Sequence, residues 1–154
     1  MGDLARLFAP ERVAVIGASD EEGSVGHAVT RNLLRDFDGE VLAVNPGADT
    51  VQGLECHESI DAVALVDVAV VAVPPGIAVD VIRDAAEAGV ENVVVITAGF
   101  GETGSEGATR EQELQAIASE YDLNVVGPNS LGIMSTPVGM NATFGPDHAL
   151  TGSI

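Results

Sequence analysis

The chain has 154 residues, 46% hydrophobic but only 3% aromatic and without Trp, which suffices for one core of Val, Ile, Leu and Ala and is too short for two ordinary domains. Asp and Glu number 24 against 6 Lys and Arg, none of them lysine, for a formal net charge of −18; a field of that sign excludes nucleic acid and anionic membrane surfaces as expected partners. Cys56 is the only cysteine, which excludes an intramolecular disulfide and a cysteine-based metal set.

The N-terminal MGDLARLFAPERVAVIG lacks a basic leader followed by an apolar run, so neither export nor a membrane span is expected and a cytoplasmic location fits. Val13 to Ile16 is a strand-sized apolar run ending at Gly17. After a polar turn, Val25, Val29, Leu33 and Phe37 recur at helical spacing. Val41 to Val44 predicts a second strand, closed by Asn45, Pro46 and Gly47. A turn-rich stretch follows, with a short helix expected around Ser59 to Ala64. Val68 to Val73 is the strongest strand, stopped by Pro74 and Pro75, and Pro75 suits the first turn of the next helix. That helix carries Val79, Ile82 and Ala86 on one side, with Val90 as a further candidate, and ends at Gly89.

Val93 to Ile96 predicts the fourth strand, the spacing of Leu114, Ile117 and Tyr121 a further helix, and Val125 and Val126 a fifth strand ending at Gly127 and Pro128. Alternating strands and helices predict an α/β fold, a Rossmann-like doubly wound parallel sheet with helices on both faces in a single domain. Its boundaries fall at residues 1–130. Residues 131–154 read as edge strands and loops leading to a following domain, with a new strand expected to begin near TGSI.

In such a sheet ligands bind outside the carboxyl ends of the strands, where strand order reverses. That rule selects Gly17 to Gly26, Asn45 to Gly47, Val73 to Pro75, Thr97 to Gly101 and Gly127 to Gly132. The first reads GASDEEGSVG: glycines let the backbone approach a ligand at a helix start, whose free amides attract phosphate. A glycine-rich turn after the first strand is structurally useful even without a ligand. It lacks the GxxxxGK[ST] of a P-loop and the GxGxxG of a dinucleotide site, and the second strand ends at Asn45 instead of the acid that holds a ribose.

No metal ligands or catalytic residues stand out. His27 is expected to pack or cap, His57 lies beside Cys56 in a turn, His148 is expected on the surface of the tail, and Ser130 lacks a nucleophile-elbow frame. Two readings of the acidity stay open: a solvated surface, or adaptation to concentrated salt in a halophilic cytoplasm, where repulsion between carboxylates is screened.

The ordered set VAVIGAS, GSVGHAVTRNLL, VNP, VDVAVVAVPP, VVVITAGFGE and GPNSLGI resembles the N-terminal CoA-binding domain of the NDP-forming acyl-CoA synthetases. That superfamily includes the succinyl-CoA ligase α subunit, and the ADP-forming acetyl-CoA synthetases of archaea match best. The resemblance implies coenzyme A as ligand. Gly17, Ser19, Gly23, Ser24 and Val25 would surround its adenosine and phosphate end, and Asn45 and Pro46 the adenine side. Val73, Pro74, Ile96 and Thr97 would line the pantetheine path, with Asn129 and Ser130 near the thiol.

Two departures stand out. The family commonly has a basic residue after the VNP turn, where this chain has Gly47, Ala48 and Asp49, leaving Arg12, Arg31 or Arg35 to meet the 3′-phosphate. Ser130 replaces the family's usual Cys. In the family an acyl phosphate is processed on a histidine of the following domain, and none of His27, His57 or His148 matches that histidine's motif. The resemblance therefore implies part of an acid–thiol ligase that couples acyl-CoA to ADP and phosphate, with a histidine domain and an ATP-grasp part as partners. A stand-alone regulatory CoA binder, a protein acetyltransferase's CoA-binding domain and an NAD(P)-dependent oxidoreductase fragment are the alternatives.

Overall fold

In the computed structural model, which describes residues 2–150 and 152, a short helix α1 (Leu4–Phe8) precedes β1 (Arg12–Ile16), α2 (Val25–Asp36) and β2 (Glu40–Val44). A hairpin of β3 (Thr50–Val51) and β4 (Leu54–His57) follows, then β5 (Val68–Val71), α3 (Pro75–Glu87), β6 (Asn92–Val95), α4 (Ser105–Glu120) and β7 (Asn124–Val126). The chain continues into β8 (Gly132–Ser135) and β9 (Met140–Thr143). The main sheet runs β3-β4-β2-β1-β5-β6-β7, parallel at every pairing except β3 with β4.

The period of two along each strand divides the core between the faces. Ala14, Ile16, Ala69, Val71, Val93 and Val95 pack under Ile82 of α3 and Ile117 of α4. Val13, Val15, Val68, Val70 and Val94 pack under Val29 and Leu33 of α2, joined by Met140 and Ala142 of β9. Each fully buried Val or Ile contributes about 1.5–3 kcal/mol over an exposed one, and the parallel strands and the helices over them both supply such residues. β1 connects to β2 on one side while the chain later crosses to β5 on the other. The reversal lies between the ends of β1 and β5, and a crevice opens there.

The turn-rich stretch after Gly47 is the β3–β4 hairpin, and β4 joins the sheet alongside β2. Its turn residues Gln52 and Gly53 both have positive φ, 48° and 82°, the two-residue hairpin geometry usually signalled by Asn-Gly. With Gln in the Asn position and strands this short, periodicity had nothing to register. The β5 strand ends at Val71, two residues before the predicted Val73: the Ala72 amide still bonds the Ile16 carbonyl, but the Val73 amide turns to Thr97 Oγ1. The helix expected at Ser59 to Ala64 is a 3₁₀ turn over Ile60–Ala62.

The tail strands, expected at a sheet edge, pair only with each other as a ribbon that packs on α2. Asn32, buried on α2, donates through its amide to the carbonyls of Thr143 (2.8 Å) and Gly145 (2.7 Å). His148, expected on the surface, keeps only 18% side-chain exposure, with Nδ1 3.0 Å from the Asp36 carboxylate. The strand expected at TGSI lies outside the described residues apart from Gly152.

Candidate functional site

The glycine-rich turn after β1 is built by close approach. Gly17 leaves β1 at φ 97°, and a Cβ there would stand 2.2 Å from the Ala72 carbonyl oxygen; no other residue fits between β1 and β5. A Cβ on Gly26 would meet the Gly17 carbonyl at 1.8 Å, so the first turn of α2 presses on the strand end and aims its amides at the crevice. Ser24 caps α2, its Oγ accepting from the His27 amide at 3.2 Å, a contact worth about 1 kcal/mol. Ser19 Oγ accepts from the Glu21 amide at 2.9 Å. Both hydroxyls keep an O–H to donate to a ligand.

Two cavities lie along the carboxyl ends of the strands. One of about 420 Å³ is lined by Gly17, Ser19, Ser24, Asn45, Pro46 and Pro74, among others. The other, about 580 Å³, is lined by Ile96, Thr97, Asn129, Ser130, Leu131 and Phe144, among others. They share Val25, Ala72 and Val73, so they form one groove running from the β1–α2 turn to the loop after β7. Of the thirteen residues expected to border CoA's adenosine and phosphate end, pantetheine arm and thiol, twelve line this groove and Gly23 does not. It borders an adjoining cavity of about 250 Å³ with Ser24, Val25, His27, Arg31 and Phe144.

Several polar side chains along the groove are committed to holding loops together. Asn45 donates to the Ala18 carbonyl (2.9 Å) and accepts from the Gly47 amide (2.9 Å). Thr97 Oγ1 donates to the Val73 carbonyl (2.8 Å) and accepts from the Val73 amide (3.3 Å), tying the end of β6 to that of β5. Ser130 Oγ donates to the Val95 carbonyl (3.0 Å). The groove therefore presents apolar surface and backbone along most of its length, with hydroxyl donors at the α2 end.

The loop after β6 is closed by Glu102, whose carboxylate accepts from the Gly99 and Phe100 amides; those amides hold its carboxyl below the usual range. At the other end, Glu58, Ser59, Ile60 and Asp84 also line the first cavity. The sequence gives no sign of the first three, because the end of β4 reaches the groove only through the unrecognised hairpin. Asp84 is placed by α3. Burial, followed by the nearby carboxylates of Glu87, Asp61 and Asp80, raises its carboxyl above the ordinary value.

Cations are scarce and mostly spent. Arg12 lies at the opposite end of β1, bound to Glu40 at 2.6 Å and to the Ala64 carbonyl. Arg35 pairs with Asp36 at 3.5 Å, in the last turn of α2. Both stand away from the groove. Arg31, in the second turn of α2, contacts the Asn32 side chain at 3.3 Å and pairs with no carboxylate among the described residues. His57 ends β4 beside Cys56, whose thiol is pushed up mainly by burial; neither lines the groove. Among the described residues no cluster of three or more His, Cys, Asp or Glu is placed to hold a metal, and no helix is long and apolar enough to cross a membrane.

Comparison with known proteins meets this geometry. A family model described as a CoA binding domain matches residues 11–136. Acetate–CoA ligase (ADP-forming) I of Archaeoglobus fulgidus is 44% identical over 142 residues, covering 92% of this chain and 21% of its own length. The α subunit of acetate–CoA ligase (ADP-forming) II of Pyrococcus furiosus is 42% identical, again over 92% of this chain and 31% of its own. The solved structure of Ca. Korarchaeum cryptofilum dinucleotide forming acetyl-coenzyme A synthetase 1, in complex with phosphate and ADP, superposes with a TM-score of 0.92. It shares 44% identity over 99% of this chain, which spans 33% of that one. The chain thus covers a fifth to a third of these relatives, and it belongs to the CoA-binding domain family, matching that domain in ADP-forming acetyl-CoA synthetases.

Proposed function

We propose that this chain binds coenzyme A as the CoA-holding part of an ADP-forming acyl-CoA ligase of the acetyl-CoA synthetase type. The observation that carries the reading is the continuous groove, apolar for most of its length and headed by a turn of backbone amides. The diphosphate sits over Gly17, Ser19, Gly23, Ser24 and Val25, held by the free amides of α2. The adenine side borders Asn45 and Pro46, where Asn45 serves as the brace that keeps the turn in place. The pantetheine arm follows Val73, Pro74, Ile96 and Thr97, and the thiol ends near Asn129 and Ser130. Arg31 meets the 3′-phosphate, since the other two candidates are engaged away from the groove.

On this reading the chain orients CoA and leaves the chemistry to other parts of the ligase. None of His27, His57 and His148 lines the second cavity, where the thiol ends. A histidine domain and an ATP-grasp part would supply the acyl phosphate that the thiol attacks. The lysine-free acidic surface fits a halophilic, cytoplasmic protein, in which salt screens the carboxylates around a polyanionic ligand.

Calorimetric titration of the chain in molar KCl tests the proposal. Saturable CoA binding with little response to NADH is expected, as is an absence of turnover with acetyl-CoA, ADP and phosphate. Tight NADH binding without CoA affinity would overturn it.

A further inference from the structure

The turn from Ser19 to His27 carries three exposed carboxylates, Asp20, Glu21 and Glu22, and regular helix begins only at Val25. Any freedom left in such a segment would have to be removed when a ligand bound, at an entropic cost charged against affinity. The tip of the β3–β4 hairpin reaches over it. Gln52 donates through its carboxamide nitrogen to the Ser19 carbonyl (3.1 Å) and to the His27 carbonyl (3.0 Å). Its backbone amide donates to the Asp20 carboxylate at 2.7 Å.

We propose that Gln52 is a positioning residue for the phosphate end of the groove: one carboxamide joins both ends of the turn, and one backbone amide fixes its first carboxylate at the hairpin. The ligand assignment rests on the CoA reading, while the brace stands on geometry alone. An NH₂ group has two hydrogens to donate, and both find carbonyls here, one before the turn and one in the first turn of α2. Asn is a methylene shorter, and Glu of equal length has no donor when ionised. The φ of 48° at Gln52 is one that Asn also tolerates. Replacement by Asn therefore keeps the hairpin and its amide contact to Asp20 while withdrawing the carboxamide.

The test compares the 154-residue chain with Gln52→Asn and Gln52→Glu in molar KCl, titrating CoA and, separately, pantetheine, which has the thiol arm but neither diphosphate nor nucleotide. Hydrogen exchange is followed in parallel. Both variants should lose about tenfold in CoA affinity, as expected for two lost hydrogen bonds, with pantetheine binding unchanged. Amides of residues 20–24 should exchange faster, while those of β1 and β5 keep their protection.

CoA affinity within about twofold of the parent, or equal losses for CoA and pantetheine, would overturn the proposal. If the parent itself fails to bind CoA, the proposed function falls. The exchange measurement then judges the brace alone, and unchanged exchange in the turn refutes it.

Discussion

Arg31 stands apart from the other arginines because no carboxylate claims it among the described residues, in a chain where acids outnumber cations 24 to 6. Replacing it with Ala should weaken CoA about tenfold, the scale of one charge-assisted phosphate contact, and leave dephospho-CoA unchanged in the same buffer. Equal loss for the two ligands would show that the guanidinium does not meet the 3′-phosphate. The loops around the groove were legible from the sequence, because a parallel sheet opens its crevice outside the carboxyl ends of its strands. The direction of their polar atoms was not. Asn45, Thr97 and Ser130 all border the groove, yet their hydrogen bonds go to neighbouring backbone. Spacing along a chain says which loop a side chain occupies and nothing about which carbonyl comes within 3 Å of it.

Among the elements, the strands of the parallel sheet were legible because unbroken Val and Ile runs of this length have few alternatives to a buried strand. The β3–β4 hairpin escaped notice, and with it went Glu58, Ser59 and Ile60 at the groove. Burial first, and then the acids packed near it, raise the Asp84 carboxyl on α3, where Asp80, Asp84 and Glu87 fall at spacings of three and four. The folded state binds a proton at Asp84 more tightly than the unfolded state does. That contribution to stability is therefore complete below the ordinary carboxylate value and is lost as the pH rises through the raised one. Asp84→Asn, at an exposed position where solvent screens the repulsion, should accordingly melt about 1–2 °C above the parent at neutral pH and low salt, with the gap closing on acidification below the ordinary carboxylate range. A gap independent of pH would refute the electrostatic origin.

At the scale of the molecule, a net charge of −18 opposes both folding and the approach of CoA. The screening length falls from about 10 Å at 0.1 M salt to about 3 Å at 1 M, so concentrated salt should relieve both. Thermal melts and CoA titrations across that range should show Tm rising and affinity rising or holding. Steadily falling affinity would mean that ion pairs with arginine, not backbone amides, dominate the site.

The ribbon of β8 and β9 bears on how the groove is connected to the rest of the chain. Through Asn32 it fastens the carbonyls of Thr143 and Gly145 to the second turn of α2, the helix whose first turn presses on Gly17 and whose next turn carries Arg31. A displacement of the backbone at Gly145 would therefore bear directly on that helix through Asn32. One helix thus touches both the backbone at Gly145 and the turn at Gly17.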